Sequence, residues 1–518
     1  MSTTISKGFV LRRSRRNEEM KVVLIVPPGG YYAERWQKGS LMPSLGIGYI
    51  AAVLEKNNFD VKIIDARVEG YTQAKLLKIL KELNPDIAGL TFTTENRFDA
   101  FDTMRRIRET VPNAILVAGG PHVSLAADDT LTHIAELDYV VRGEGEHSFL
   151  ELLNSLKDGK GVDDVNGISF RRDGILVNNP PRQLIRDLNE VPFPARHLFP
   201  WEKYNFTLEV PGKGKFKAAN IMTSRGCPYG CNFCATSNMW GRSCRMRTPE
   251  NIIEEVELLV DRYRAKAIWI FDDTFTVSKK RIFRFCELLK EKKISIHWFC
   301  EIRVDTVTKE LLAEMKDAGC FSVGYGVESG SQRIIDEVIK KKIKLDDVKK
   351  VTEWCTELGI MTNPFFIFSH PEETMDDIAM TMDMIRNWPK NSSISLSLLH
   401  VYPGTPLERV AKEKGIIPVD FSWSVKDKRV ETLPSAQGNV PIFRDKLSWE
   451  QISELLFEWA KIQKFPVIKK IPRALKHIRT IGDMKRYMKM FWTYVAFKSK
   501  GLANSSKKER LSEKSGIG

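Results

Sequence analysis

The sequence predicts an α/β protein: an N-terminal doubly wound parallel sheet, then a partial β/α barrel of six units, then a helical, basic C-terminal tail. Three observations carry this. Short Val-, Ile- and Leu-rich runs alternate with amphipathic stretches of helical period, five such runs before residue 160 and six after 217. The runs are apolar at successive positions, which suits strands covered on both faces by helices. Positive charge is local: residues 461–518 hold 16 Lys and Arg against 3 Asp and Glu, and the whole chain carries +14, so the body is close to neutral.

A chain of 518 residues has room for two or three domains. Its 42% hydrophobic and 28% charged residues are ordinary for a soluble protein. Eight irregularly spaced cysteines without a signal peptide point to a reducing cytoplasm. No apolar run reaches the roughly 18 residues that cross a bilayer. Nucleic acid is not an expected partner, because the basic region is confined to one end and no appended binding module is legible.

Residues 1–20, with Arg12, Arg13, Arg15 and Arg16, read as a disordered basic leader. The first domain spans 21–159. Its strand candidates are Val22–Val26, Val61–Ile64, Ile87–Phe92, Ile115–Gly120 and Tyr139–Gly143; its helical stretches are Gly46–Lys56, Thr72–Leu83, Phe98–Thr110 and Glu146–Leu156. Ligands of such sheets bind at the carboxyl ends of the strands, and those ends are rich in small residues. They are Pro27–Tyr31 with Leu41–Gly46 opening the first helix, Thr91–Thr94, Ala118–His122 and Arg142–Glu146. Glycines there let backbone approach a ligand and leave amides free at helix starts. A dinucleotide fingerprint after the first strand is missing, which disfavours a nicotinamide cofactor. His122 and His147 read as helix-start hydrogen-bond partners.

Residues 160–217 form a connector, with a hairpin through Asp173–Gly174 followed by the Pro-rich stretch Asp187–Pro194. Directly after the apolar run Ala218–Met222 come Cys227, Cys231 and Cys234 at C-x3-C-x2-C spacing. One loop can wrap three such thiolates around one face of a 4Fe-4S cluster, leaving the fourth iron open to another ligand. The competing reading is structural zinc, which closes with two pairs of ligands. Here Cys244, Cys286, Cys300, Cys320 and Cys355 stand singly, and no second pair exists.

The barrel spans 218–410. Its strand candidates are Ala218–Met222, Ala267–Phe271, Ile294–Cys300, Phe321–Val327, Pro364–Ser369 and Ile394–His400. The helical patterns between them are Pro249–Tyr263, Lys280–Lys292, Lys309–Ala318, Leu345–Leu358 and Met375–Trp388. Polar residues at the strand C-termini then point at a shared site.

With a Pro after the first cysteine and an aromatic before the last, this loop resembles the cluster loop of radical S-adenosylmethionine (SAM) enzymes. The resemblance implies that SAM chelates the open iron, with Phe233 against its adenine. It assigns further SAM contacts to Asp272 and Asp273 (amino group), to Arg303 (carboxylate) and to Glu328 of G-V-E-S-G (ribose or methionine portion). Read from the residues alone, the Asp pair can instead cap a helix and Arg303 can form an ion pair. The fifth strand ends in Ser369–His370–Pro371, where the resemblance leads one to expect Gly in place of His370; the sixth runs into Val401–Leu407, also a family signature.

The first domain resembles the cobalamin-binding domain of many radical SAM proteins, through P-S-L-G at 43–46, G-G-P-H at 119–122 and R-G-E-G-E at 142–146. This implies cobalamin contacts at Ser44, Leu45, Gly46, Thr91, Thr93, Gly119, Gly120, Pro121, Gly143 and Glu144. The D-x-H-x-x-G motif that supplies a cobalt-ligating His elsewhere is absent, so a base-off form without protein histidine is expected.

Together these resemblances imply a cytoplasmic cobalamin-dependent radical SAM enzyme that methylates an unactivated carbon. One SAM would methylate cobalamin, a second would yield the radical that opens the substrate C–H bond, and flavodoxin or ferredoxin would be the electron donor. A non-methylating enzyme, like the anaerobic porphyrin ring cyclases with the same domain pair, is the alternative; a non-catalytic cobalamin sensor is another. Residues 411–464 read as a cap, with Trp423 and Pro434–Ser435–Ala436 near the barrel mouth and an amphipathic helix over Ser448–Lys464. In the tail 465–518, Ile471, Leu475, Ile478, Met484, Met488, Phe491 and Val495 recur at helical steps among Lys and Arg. Such a helix either packs on the barrel or attaches the protein to an anionic membrane surface, and the latter makes a hydrophobic or lipid substrate an expectation.

Overall fold

The structure, a computed structural model, describes residues 20–29, 41–432 and 439–462. The expectations for the leader, Tyr31, Pro434–Ser435–Ala436 and the basic tail lie outside the described residues.

The first sheet has seven strands, in the order β2-β1-β3-β4-β5-β6-β7. They are β1 (Lys21–Val26), β2 (Asp60–Asp65), β3 (Ile87–Thr91), β4 (Ile115–Gly119), β5 (Tyr139–Val141), β6 (Ile168–Arg172) and β7 (Ile175–Asn178). The first five are mutually parallel. The order reverses between β1 and β3, and such a switch point opens a crevice at the strands' carboxyl ends. β6 and β7 join antiparallel through Asp173 and Gly174, at φ 51° and 81°, as a two-residue hairpin turn requires. The hairpin expected in the connector therefore extends the first sheet. Val22, Leu24 and Val26 face one buried layer with Leu152 and Leu153; Val23 and Ile25 face another with Leu76, Phe101 and Met104. Burial on both faces explains the unbroken apolar runs.

The second sheet runs β16-β15-β14-β13-β12-β9-β8. Its strands are β8 (Thr207–Val210), β9 (Gly214–Ile221), β12 (Ala267–Ile270), β13 (His297–Glu301), β14 (Cys320–Glu328), β15 (Met361–Phe368) and β16 (Ser395–Leu398). β9 and β12–β16 are the six parallel strands of an open barrel, and β8 closes one edge antiparallel to β9. A two-stranded ladder, β10 (Ser224–Arg225) with β11 (Arg245–Met246), lies beside the barrel. Phe275, Phe285 and Trp298 meet edge to face in the helix-facing core, with centroids 5.7–5.9 Å apart.

After the barrel, helix Trp449–Ile462 starts at a reciprocal cap. The Gln451 N–H donates to Ser448 Oγ (3.3 Å) and the Ser448 N–H to Gln451 Oε1 (2.8 Å). Among the described residues no helix is long and apolar enough to cross a membrane.

Candidate active site

The cysteine loop leaves β10 at Gly226 and is held from two sides. The Asn232 N–H donates to the Ile339 carbonyl (3.1 Å) and Asn232 Nδ2 to that of Val338 (2.7 Å), both in the π-helical turn Ile334–Ile339 that follows β14. On the other side the Leu407 N–H donates to the Asn232 carbonyl at 3.2 Å. Cys227, Cys231 and Cys234 are free thiols, partly exposed. Burial pushes the Cys231 thiol up to about 11 and raises Cys234 as well. A metal bound there would reverse that shift, since a coordinating thiol is deprotonated. Among the described residues no three His, Cys, Asp or Glu side chains are gathered so as to hold a metal ion, so the ligand set rests on the spacing of the three cysteines along one loop. The loop fits a 4Fe-4S group with three protein ligands.

The two aspartates at the end of β12 have different surroundings. Asp272 is buried, and its carboxylate accepts from Thr223 N (2.6 Å), Ser224 N (3.0 Å), Ser224 Oγ (2.6 Å) and Thr223 Oγ1. Those bonds fix the strand that feeds the cysteine loop and leave Asp272 little capacity for a ligand. Asp273 accepts from Thr236 Oγ1 at 3.0 Å and lies against the Gly226 amide. Burial, then the Asp272 charge, raises its carboxyl above the usual range.

Glu328 ends β14 at φ 68°, where the register with β15 shifts between Gly326 and Glu328. Such a bulge re-aims a side chain, and here the carboxylate meets Lys341 Nζ at 2.5 Å. Arg303 pairs with Asp305 (2.7 Å) and stacks on the Tyr229 ring of the cysteine loop at 3.7 Å. This is the ion-pair reading, but in a buried setting.

Phe233 packs against the apolar cluster that includes Leu399, Val401 and Leu407, and lies 6.3 Å from the His370 ring. At the end of β15 the left-handed positions are Ser369 (φ 73°) and Glu372 (φ 56°). His370 is buried and hydrogen-bonded to the Ile367 backbone, and burial lowers its ring to about 3.

In the first domain, every residue named from the sequence as a cobalamin contact, from Ser44 to Glu144, lines one cavity of about 610 Å³. Arg225, Met239, Trp240 and Phe271 of the barrel half line it too, so both halves wall it. Gly120 sits at φ 100°, and a β-carbon there would lie 2.9 Å from the Phe92 carbonyl, so this turn excludes a side chain. A Cβ at Gly46 meets nothing within 4 Å, and one at Gly119 only the Val141 carbonyl at 3.9 Å. Glycine surfaces of this kind on one wall let a large cofactor approach the backbone, which fits cobalamin. No histidine is among the described residues lining the cavity. His122 is buried with Nδ1 3.1 Å from Thr94 Oγ1 and its ring between Phe92 and Phe101, a packing role. Glu144 turns its carboxylate away from a ligand role, onto Arg225, Arg245 and the Ile185 N–H.

Sequence reasoning missed Lys341, Trp240, Phe271 and Arg225. Lys341 stood inside a Lys run that resembles a solvated face, and only Arg225, adjoining the cysteine loop, carried a signal.

Residues 221–385 match the Radical SAM superfamily and residues 38–153 the B12 binding domain. The chain is 33% identical to an uncharacterized methyltransferase of Pyrococcus horikoshii over 84% of this chain and 91% of that protein. It is 30% identical to the cytidylyl-2-hydroxyethylphosphonate methyltransferase of Streptomyces wedmorensis, over 73% and 82% of the two. It is 28% identical to the anaerobic magnesium-protoporphyrin IX monomethyl ester cyclase of Rubrivivax gelatinosus, over 71% and 66%. In fold it is similar to the radical S-adenosylmethionine methyltransferase TsrM from Kitasatospora setae, with TM-score 0.66 at 16% identity, covering 86% and 89% of the chains. The chain belongs to the cobalamin-dependent radical SAM methyltransferase family, whose cofactors are a 4Fe-4S cluster, SAM and cobalamin.

Proposed function

We propose that this chain methylates an unactivated carbon of a hydrophobic small molecule, at the cavity where the strand ends of its first sheet meet the barrel mouth. The observation that carries this is the shared wall: Gly46, Gly119 and Gly143 from one half face Trp240 and Phe271 from the other. In this reading Cys227, Cys231 and Cys234 hold the cluster. Phe233, Asp273, Arg303 and Glu328 hold SAM, with Asp272 acting through the backbone it fixes. The glycine-rich strand ends hold cobalamin. Once bound, these groups supply an electron, a hydrogen-abstracting fragment and a methyl group. The chain's part is placement. Lys341 holds the Glu328 carboxylate at 2.5 Å, and Tyr229 stacked on Arg303 ties the cysteine loop to the end of β13. Phe271 is 37% exposed, and with Trp240 it offers an apolar, water-excluding face to a substrate. That face and the basic tail support a lipid or other hydrophobic substrate; flavodoxin or ferredoxin is the proposed electron donor.

The experiment counts products. Anaerobically reconstituted protein given cobalamin, SAM, a reductant and an extract of its own cells is expected to form S-adenosylhomocysteine together with 5′-deoxyadenosine. Deoxyadenosine without S-adenosylhomocysteine would favour a ring-forming activity, the second reading, which the similarity to the cyclase motivates.

A further inference from the structure

We infer that Arg225 is a positioning residue that couples the two cofactor sites, through a buried clasp with Glu144 and Glu146 of the first domain. The inference rests on the proposed assignment of the cluster to the cysteine loop and of cobalamin to the cavity.

Arg225 is two residues before Cys227, on β10. Its cross-strand neighbour on β11 is Arg245. Both side chains reach out of the barrel half to the turn that follows β5. Arg225 Nη1 donates to Glu144 Oε1 (2.9 Å) and Nη2 to Glu146 Oε1 (2.6 Å). Arg245 Nη1 donates to both Glu144 oxygens, at 2.7 and 2.9 Å, and to the Ile185 carbonyl at 2.8 Å. Glu144 Oε2 accepts from the Ile185 N–H at 2.7 Å, so the connector is drawn into the same knot. Two cations and two carboxylates are thus balanced, each side chain no more than 9% exposed.

A buried pair of this kind holds its geometry tightly, because displacing one partner leaves an uncompensated charge away from water. The turn Gly143–Glu146 and the start of the cysteine loop therefore cannot shift independently. The clasp also has a face on the cavity. The Arg225 guanidinium lies 5.1 Å from the Tyr49 ring and 5.6 Å from that of Trp240, and all three line the cavity beside Gly143 and Glu144. A ligand seated there packs on one side of the clasp while Gly226–Cys227 continue from the other. Whatever fixes one loop then favours the bound form of the other, and the effect is reciprocal.

The test is a binding measurement. Hydroxocobalamin is titrated, by its visible spectrum, into the full chain with and without its reconstituted cluster. The iron-loaded protein is expected to bind about 5-fold tighter or more. In Arg225→Lys, which keeps the charge but loses the two-pronged grip, both sites are expected to load while this ratio falls toward one. A wild-type ratio within twofold of one overturns the inference, as does Arg225→Lys retaining the full ratio. If Arg225→Lys does not fold, the wild-type comparison decides alone. A wild-type chain that takes up no iron or no cobalamin refutes the underlying assignment instead.

Discussion

At the cysteine loop, three partly exposed cysteines are the proposed ligands of the cluster. Cys231 and Cys234 are driven toward the neutral thiol by burial and lack the packed apolar surroundings of Cys286, Cys300 and Cys355. Reconstituted protein is expected to hold about four irons. Cys→Ala at 227, 231 or 234 is expected to abolish that iron, while Cys244→Ala and Cys355→Ala keep it. Iron analysis with the cluster's visible absorption decides this, and full retention after all three changes would refute the assignment. The glycines on the cavity wall give a second residue-scale test. Gly119→Phe adds a ring toward open space and is expected to block hydroxocobalamin uptake while leaving the thermal midpoint within a few degrees. Gly120→Phe is expected to lose stability first, since its Cβ would press on the Phe92 carbonyl. Cobalamin uptake by Gly119→Phe equal to wild type would remove the cavity from consideration.

Among elements, the end of β15 shows how the fold holds a turn near the cysteine loop. Ser369 and Glu372 take left-handed backbone, and Glu373 Oε2 accepts the Ser369 (2.6 Å) and His370 (3.1 Å) amides. Burial pushes the Glu373 carboxyl up to about 8, against the lowering effect of those amides. The folded protein therefore holds a proton that an unfolded Glu, titrating near its ordinary value of about 4.5, releases. Stability from this group is present below about pH 4.5 and is lost as pH rises toward 8, by up to about 1.4 kcal/mol per pH unit. Thermal midpoints from pH 5 to 8.5 should fall more steeply for wild type than for Glu373→Gln; parallel profiles would show that Glu373 is ionised throughout. The same strand end shows what sequence could and could not give. All six parallel barrel strands were legible, because burial on both faces writes continuous apolar runs. β8 was not, since Thr207–Val210 is a mostly exposed edge whose pairing is set by its neighbour. Which residues take the left-handed backbone was not legible, because the identities at 369–372 do not mark it. The cavity glycines were legible from composition, but the commitment of Asp272 and Glu144 to protein partners depends on segments 48 and 81 residues away in the chain.

Across the whole molecule, the two halves are joined by charge buried at their contact. Besides the Arg225 clasp, Arg196 of the connector meets Glu255 of the barrel at 2.7 Å, and Arg97 donates to the Trp423 carbonyl at 2.6 Å and that of Asn439 at 3.1 Å. With its body close to neutral, the chain carries nearly all its excess charge after residue 460. The sequence there interleaves Lys469, Lys470, Arg473, Lys476 and Arg479 with Ile471, Leu475 and Ile478, and gathers Phe491, Trp492 and Tyr494 further on. Each Lys or Arg at an anionic bilayer surface contributes about 1 kcal/mol, and aromatics favour the headgroup region. Co-sedimentation distinguishes attachment to an anionic membrane surface from packing on the barrel, the two readings of this segment. The full chain is expected to pellet with vesicles containing phosphatidylserine at low salt, to release as salt rises, and to ignore neutral phosphatidylcholine vesicles. A chain ending at Gln463 should stay in the supernatant with both. If the full chain ignores the anionic vesicles as well, the tail serves packing, and a lipid substrate retains only the apolar face of Trp240 and Phe271 in its favour.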